Sequence, residues 1–236
     1  GNIPFAYNGA TAFKLPYNHF YGQDIRPFAR WLKDRKVTIV RILTECAVMY
    51  KLTPAESQAV LADVLSILES EGLYAEVVAC ADTLSYPLSS MEQHLRAIDD
   101  ICSRHSNSTL ELGNEIIHPT QRPELVNLVT NYRPKTHPYA IGAGATDDSN
   151  QFWGGDYITI HFDRADGDGG WRWVRHTKEG NDHSISTGKP VINDEPRRDD
   201  LSVSKHYMLA ALCRMCGMGD TIHLGSLITA QIPTRV

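Results

Sequence analysis

Several things this chain lacks narrow what it can be. No apolar run approaches the roughly 18 residues that cross a bilayer, so no membrane partner is expected. No Lys/Arg block stands out, and 28 acidic against 23 basic side chains give a formal charge of −5. A negative chain without a basic stripe lacks the electrostatic footprint that dominates nucleic-acid affinity, so no nucleic-acid partner is expected either. No Gly-x-Ser-x-Gly elbow supports a serine hydrolase. No His-x-His follows the first strand, as metal-dependent barrel hydrolases would want. The stretch Asn8-Gly9-Ala10-Thr11-Ala12-Phe13 lacks the Gly-rich phosphate turn of dinucleotide-binding sheets. No basic segment followed by an apolar one precedes the fold, which leaves the compartment open.

Cysteine is sparse and scattered. Cys46, Cys80, Cys102, Cys213 and Cys216 are an odd set without a disulfide framework. Cys213-Arg-Met-Cys216 has the spacing of a zinc or redox pair, yet no second such pair completes a tetrahedral site, and it lies in an apolar helical run. Burial as small hydrophobes is the expected role. Asp166 to Gly170 resembles part of a calcium loop but lacks its 12-residue ligand spacing. His161 and Asp163 could share a metal as a minor alternative, and neither metal nor cofactor is expected.

What the sequence does have is an alternation. Short β-branched runs fall at Phe5 to Phe13, Val37 to Leu43, Tyr74 to Ala79, Thr109 to Gly113, Tyr139 to Ala143, Tyr157 to Phe162, Pro190 to Asn193 and Thr221 to Leu227. Helical periodicity separates most of them, over Asp24 to Lys36, Thr53 to Glu71, Ser90 to Ser106, Gln121 to Tyr132 and Leu201 to Cys216. Thr53, Pro54 and Glu56 form a capping-box start, and Gly72 stops that helix. Strands alternating with helices pair in parallel, because each crossover carries the chain back along the sheet. Eight such units in 236 residues predict a single-domain α/β protein, a compact (β/α)8 TIM barrel with its eighth helix absent or truncated. An open doubly wound sheet is the competing architecture.

In such a barrel the functional side chains project from the C-terminal strand ends. The fourth strand runs into Gly113-Asn114-Glu115 and the seventh into Asn193-Asp194-Glu195-Pro196. Two carboxylates at one mouth suit glycosidic bond cleavage: one protonates the leaving oxygen while the other attacks or activates water on the opposite face.

These two strand ends resemble the retaining glycoside hydrolases of clan A, a large (β/α)8 superfamily. The likeness follows element order from Phe5 to Pro233, and its motifs are short. It implies Glu115 as acid/base, Glu195 as nucleophile, and Asn114 as a ligand of the sugar 2-hydroxyl. Arg41 on the second strand matches an Arg that clan members place near the nucleophile, where a guanidinium favours ionised Glu195. His161 ends the sixth strand and could hydrogen-bond either carboxylate. Two positions depart from the pattern: Ile116 follows Asn-Glu in place of Pro, and His223-Leu224-Gly225 stands where several members carry Trp.

With that Trp missing, Trp153, Trp171 and Trp173 are the candidate aromatic platforms for a sugar face, the last two in a loop opening a helix. A retaining mechanism calls for carboxyl groups about 5–5.5 Å apart. Once two acids are assigned to catalysis little negative excess is left, so the expected partner is a neutral oligo- or polysaccharide. A non-catalytic carbohydrate-binding or structural barrel is the alternative, with a metal-dependent barrel lyase or isomerase as a third.

Overall fold

The computed structural model describes residues 5–143, 154–161, 171–195, 210–223 and 228–232. Its strands are β1 (Asn8–Thr11), β2 (Ile39–Leu43), β3 (Tyr74–Cys80), β4 (Ser108–Gly113), β5 (Tyr139–Ala140), β6 (Ile158–Ile160), β7 (Val191–Asn193) and β8 (Gly219–Ile222). All pairings are parallel, in the order β5-β4-β3-β2-β1-β8-β7-β6. The outermost strands also approach each other: the Asp156 amide donates to the Tyr139 carbonyl at 2.7 Å, and Ala140 bridges Gly155. The result is a nearly closed eight-stranded barrel, and the open-sheet alternative falls.

The helices are α1 (Leu15–Phe20), α2 (Arg26–Asp34), α3 (Pro54–Ser70), α4 (Leu88–Cys102), α5 (Leu125–Asn131) and α6 (Trp171–Thr187), with residues 210–215 also helical. Helix α3 starts as its sequence requires. Thr53 Oγ1 accepts from the Glu56 amide at 3.3 Å, and Glu56 Oε2 accepts from the Thr53 amide at 2.8 Å. Two otherwise orphaned N–H groups are thereby satisfied. Among the described residues no helix follows β8 beyond a short turn at 228–230.

Several expectations need correction. Most strands are shorter than the apolar runs that announce them, because only the stretch facing a neighbour on each side completes the ladder. The first begins at Asn8, not Phe5, and the fifth ends at Ala140, not Ala143. Helix α1 is absent from the sequence reading, since a six-residue helix is too short to display a period. Trp171 and Trp173 belong to the first turn of α6, not to a loop, and Trp153 lies outside the described residues.

Side-chain alternation along the strands sorts residues into two layers. Val40, Ile42, Ala75, Val77, Leu110 and Leu112 pack outward against Leu61, Leu65, Leu95 and Ile98 of the helices. Elsewhere around the barrel Ile158, Ile160 and Val191 also face outward, against Cys213 and Met218. Cys213 is thus a buried core thiol, and all five cysteines are free.

The inward residues stack along the barrel axis. Tyr7, Ala140, Tyr157 and Ile192 fill the N-terminal end. Phe13, Leu43 and Val78 form an apolar cluster nearer the C-terminal end. Between them lie Arg41, Glu76, Glu111, Thr159 and Asp194, every one buried. Barrel interiors are ordinarily filled with branched aliphatic residues, so this charged middle layer is a specific feature of the chain.

Candidate active site

The middle layer is organised by Arg41. Its guanidinium is 0% exposed, and strand β2 aims it down the barrel axis. Nε and Nη2 donate to Glu111 Oε2 at 3.0 and 2.8 Å, Nη1 to Glu195 Oε2 at 3.2 Å, and Nη2 to Asn114 Oδ1 at 2.9 Å. Nε also lies 2.9 Å from Asp194 Oδ2 and 3.9 Å from Glu76 Oε2. The planar fork is what lets one side chain serve so many acceptors. Burial pulls the Arg41 pKa down, but Asp194, Glu111, Glu195 and Glu76 outweigh it and raise it well above the usual value.

His161 continues β6 into the mouth and joins the two candidate carboxylates. Its Nδ1 is 3.1 Å from Glu115 Oε1, and its Nε2 is 3.3 Å from Asp194 Oδ1 and 3.9 Å from Glu195 Oε2. Burial lowers the His161 pKa; Asp194, Glu195 and the hydrogen bonds reverse that and lift it to about 10. Asp194 is pushed up by burial, yet Arg41 and His161 bring it below the usual range. Arg41 and His161 hold the two Asp194 oxygens from opposite sides, at 2.9 and 3.3 Å.

The acid at the end of β4 is held in an unusual conformation. Glu115 has φ 43°, in the left-handed region, which costs a non-glycine residue about 1–3 kcal/mol and persists only where its surroundings impose it. Gln121 is part of those surroundings. Its Nε2 donates to the carbonyls of Ala81 and Asn114, while its Oε1 accepts from the Thr83 amide and hydroxyl at 3.2 and 2.8 Å. One buried amide therefore stitches together the loops after β3 and β4. Gly142 lets β5 approach from the other side: with φ 125°, a Cβ there would lie 1.8 Å from the Gly113 carbonyl oxygen.

Of the residues singled out in the sequence, Arg41, Asn114, Glu115, His161, Glu195 and His223 converge. His223 is fully buried at the end of β8, with Nδ1 2.8 Å from Thr11 Oγ1 and Nε2 3.9 Å from Glu195 Oε1. It packs edge-on against Phe13. The side chains of Trp153, Trp171 and Trp173 fall outside what the structure describes. Exposed apolar surface at the loops after β2, β3 and β4 comes instead from Val48, Met49, Leu84 and Ile117. Glu76, Glu111, Asp194 and Gln121 were missed as site residues. The available signal was a charged side chain inside an otherwise apolar strand, as in Tyr74-Ala75-Glu76-Val77 and Leu110-Glu111-Leu112.

Ligand atoms of Glu111, His161 and Asp194 come within 4.8 Å of one another, a spacing that would suit a cation. The Arg41 guanidinium already touches two of the three at 2.8 and 2.9 Å and supplies the positive charge there. Asp163 lies outside the described residues. A cavity of about 690 Å³ opens at the opposite, N-terminal end of the barrel, between Tyr7, Thr109, Tyr157 and Met218; none of the converging residues lines it.

Solved structures share this architecture. A glycoside hydrolase family 5 protein from Bacteroides vulgatus matches 100% of this chain and 61% of its own, at 16% identity and a TM-score of 0.67. An endo-1,4-β-D-mannanase from Thermotoga petrophila, with maltose and glycerol, matches over 93% and 88% at 11% identity and 0.68. GH5_18 from Bifidobacterium longum subsp. longum, in complex with Manβ1-4GlcNAc, matches over 98% and 71% at 14% identity and 0.63. The fold is therefore the (β/α)8 barrel that these glycoside hydrolases of clan A also have. The chain spans 61% and 64% of the length of two of the glycoside hydrolases it matches. No protein-family model and no curated protein matches the sequence.

Proposed function

We propose that the chain is a retaining glycoside hydrolase that cleaves O-glycosidic bonds of a neutral oligo- or polysaccharide. The observation that carries this reading is the convergence of Glu115 and Glu195, from β4 and β7, on the two nitrogens of His161. Fold alone does not establish an activity; the placed carboxylates give the reading its chemistry.

Glu195 attacks the anomeric carbon as that carbon's bond to the departing oxygen breaks, and Glu115 gives the departing oxygen its proton. A glycosyl-enzyme ester results. Water then adds to the anomeric carbon, Glu115 takes the water's proton, and Glu195 leaves as a carboxylate. Arg41, 3.2 Å from Glu195 Oε2, favours the ionised nucleophile at the start and the departing carboxylate at the end. Asn114 is the ligand of the sugar 2-hydroxyl, held by Arg41 Nη2 at 2.9 Å. Val48, Met49, Leu84 and Ile117 offer apolar contact to sugar faces where the departing pattern lacks a β8 Trp.

Mannose- and glucose-configured β-linked oligosaccharides are the first substrates to try, since an endo-1,4-β-D-mannanase and a Manβ1-4GlcNAc complex are among the structural neighbours. Proton NMR of the first-formed product tests the mechanism. Retention of anomeric configuration supports it, and inversion overturns it. Binding of these glycans without hydrolysis over long incubation would favour the non-catalytic alternative.

A further inference from the structure

Among the described residues the barrel core holds more carboxyls than cations. Glu76, Glu111, Asp194 and Glu195 all lie within 4.0 Å of one guanidinium, and Glu115 lies against His161. Against these carboxyls the described core sets Arg41 and His161. Arg41, Glu76, Glu111 and Asp194 are all 0% exposed, so solvent screens little of the repulsion. Ionised carboxyls in a dry site must be paired or neutralised, and here neutralisation means protons.

The four carboxyls differ in what faces each of them. Asp194 is flanked by both cations, by Arg41 on one oxygen and His161 near the other. Glu195 faces Arg41 Nη1. Glu111 lies deeper, with Oε2 taking both Arg41 Nε and Nη2 and Oε1 3.5 Å from the Thr159 hydroxyl. Glu76 sits lower still, receiving the hydroxyls of Tyr7 and Tyr157 at 2.6 and 2.9 Å. The groups facing Glu111 are thus Arg41 from β2, Glu76 from β3, Thr159 and His161 from β6 and Asp194 from β7.

We propose that Glu111 is a positioning residue that clamps Arg41 as an uncharged carboxylic acid, leaving the guanidinium's charge to Asp194 and the nucleophile Glu195. Two hydrogen bonds to one Glu111 oxygen fix the rotation of the fork, which sets Nη1 toward Glu195 and Nη2 toward Asn114. A carbonyl oxygen accepts both bonds without a charge of its own. An ionised Glu111 would neutralise Arg41 and add repulsion to Asp194 and Glu76. Burial, with Asp194 and Glu76 adding to it, raises Glu111 well above the usual carboxylate range although Arg41 opposes the shift.

The role in catalysis rests on the glycosidase reading; the charge state does not, and two readouts separate them. The first is isotope-edited infrared spectroscopy at pH 8 with carboxyl-labelled glutamate. Subtracting the Glu111→Gln spectrum from wild type should show loss of a neutral-acid carbonyl band, and loss of a carboxylate band overturns the proposal whether or not any sugar is cleaved. Should Glu111→Gln not fold, the same subtraction is made with Glu111→Ala: loss of a neutral-acid band supports the proposal, and loss of a carboxylate band overturns it. The second readout is turnover. Glu111→Ala should lower kcat by about 100-fold through misplacement of the fork. Glu111→Gln should recover the greater part of that loss without moving the acid limb of the pH profile. A Gln variant as impaired as Ala, with a shifted acid limb, overturns the proposal. Absence of turnover in wild type defeats the glycosidase reading and leaves the infrared result standing.

Discussion

Nη1 of Arg41 lies 3.2 Å from Oε2 of Glu195, although 154 positions separate the two in the chain. The contact ties β2 to the end of β7 across the barrel and sets a fixed positive charge beside the candidate nucleophile. Its energetic and chemical consequences are open to measurement.

Replacing Glu195 with Gln removes the attacking oxygen while keeping the size of the side chain. Turnover of an activated aryl glycoside should fall by at least ~10³-fold, as expected when a nucleophile is lost. A Glu115→Ala variant should lose about 10²–10⁴-fold on substrates with poor leaving groups and much less on activated ones, because only the former need the proton. Equal losses on both would refute the acid/base assignment of Glu115.

Replacing Arg41 with Met leaves Asp194 and Glu195 in the core without their strongest partner. Breaking a buried ion pair from one side typically costs about 3–5 kcal/mol. Urea denaturation should show a loss of that size, and a loss below about 1 kcal/mol would mean the acids simply take up protons in its place.

Stability should decline from mildly acidic to alkaline pH. Burial raises Glu76, Glu45 and Asp220 to about 7 each, and their neighbouring charges and hydrogen bonds leave them there. For a group whose folded value is raised, the stabilisation is complete below the unfolded value and is lost as pH climbs through the folded one. These three carboxyls thus lose their contribution between about pH 4 and 7. His161, at about 10 in the folded chain, loses its own between about pH 6.5 and 10. His94 runs the other way: burial lowers it to about 4, so its contribution is present above about pH 6.5 and is lost as pH falls toward 4. Three acids and His161 outweigh one buried neutral histidine, so the urea midpoint should be higher at pH 5.5 than at pH 8.5. A Glu76→Gln variant should flatten the fall between these two values.

Removing the Thr53 cap should be felt locally. Thr53→Ala abolishes the bond to the Glu56 amide and should cost about 1 kcal/mol. Hydrogen exchange should rise first in the initial turn of α3. Gly142→Ala should cost more, since the added Cβ meets a backbone carbonyl that cannot move without separating β4 from β5.

Much of the architecture was legible because its signals are local. The capping box at Thr53 and Glu56 involves side chains three residues apart, and the β-branched runs announce strands whatever their partners. Asn114-Glu115 and Glu195 were legible for a related reason: each follows directly on an apolar run, and a strand end in a barrel points to one face. Helix α1 and the trimmed strand ends were not, because short helices show no period and strand length depends on neighbours.

By itself the sequence determined the alternation of strands and helices, the parallel barrel that follows from it, and the two strand ends where carboxylates gather. Only the tertiary structure decided what surrounds them. Glu76 and Glu111 each interrupt an apolar strand and Asp194 directly follows one, but they become one cluster only because closing the barrel brings the inward positions of β2, β3, β4 and the end of β7 to a common axis. Their protonation, the setting of the Arg41 fork and the bridging place of His161 depend on distances across that axis. Such distances are fixed by packing and desolvation over the whole barrel, which no local stretch of chain encodes.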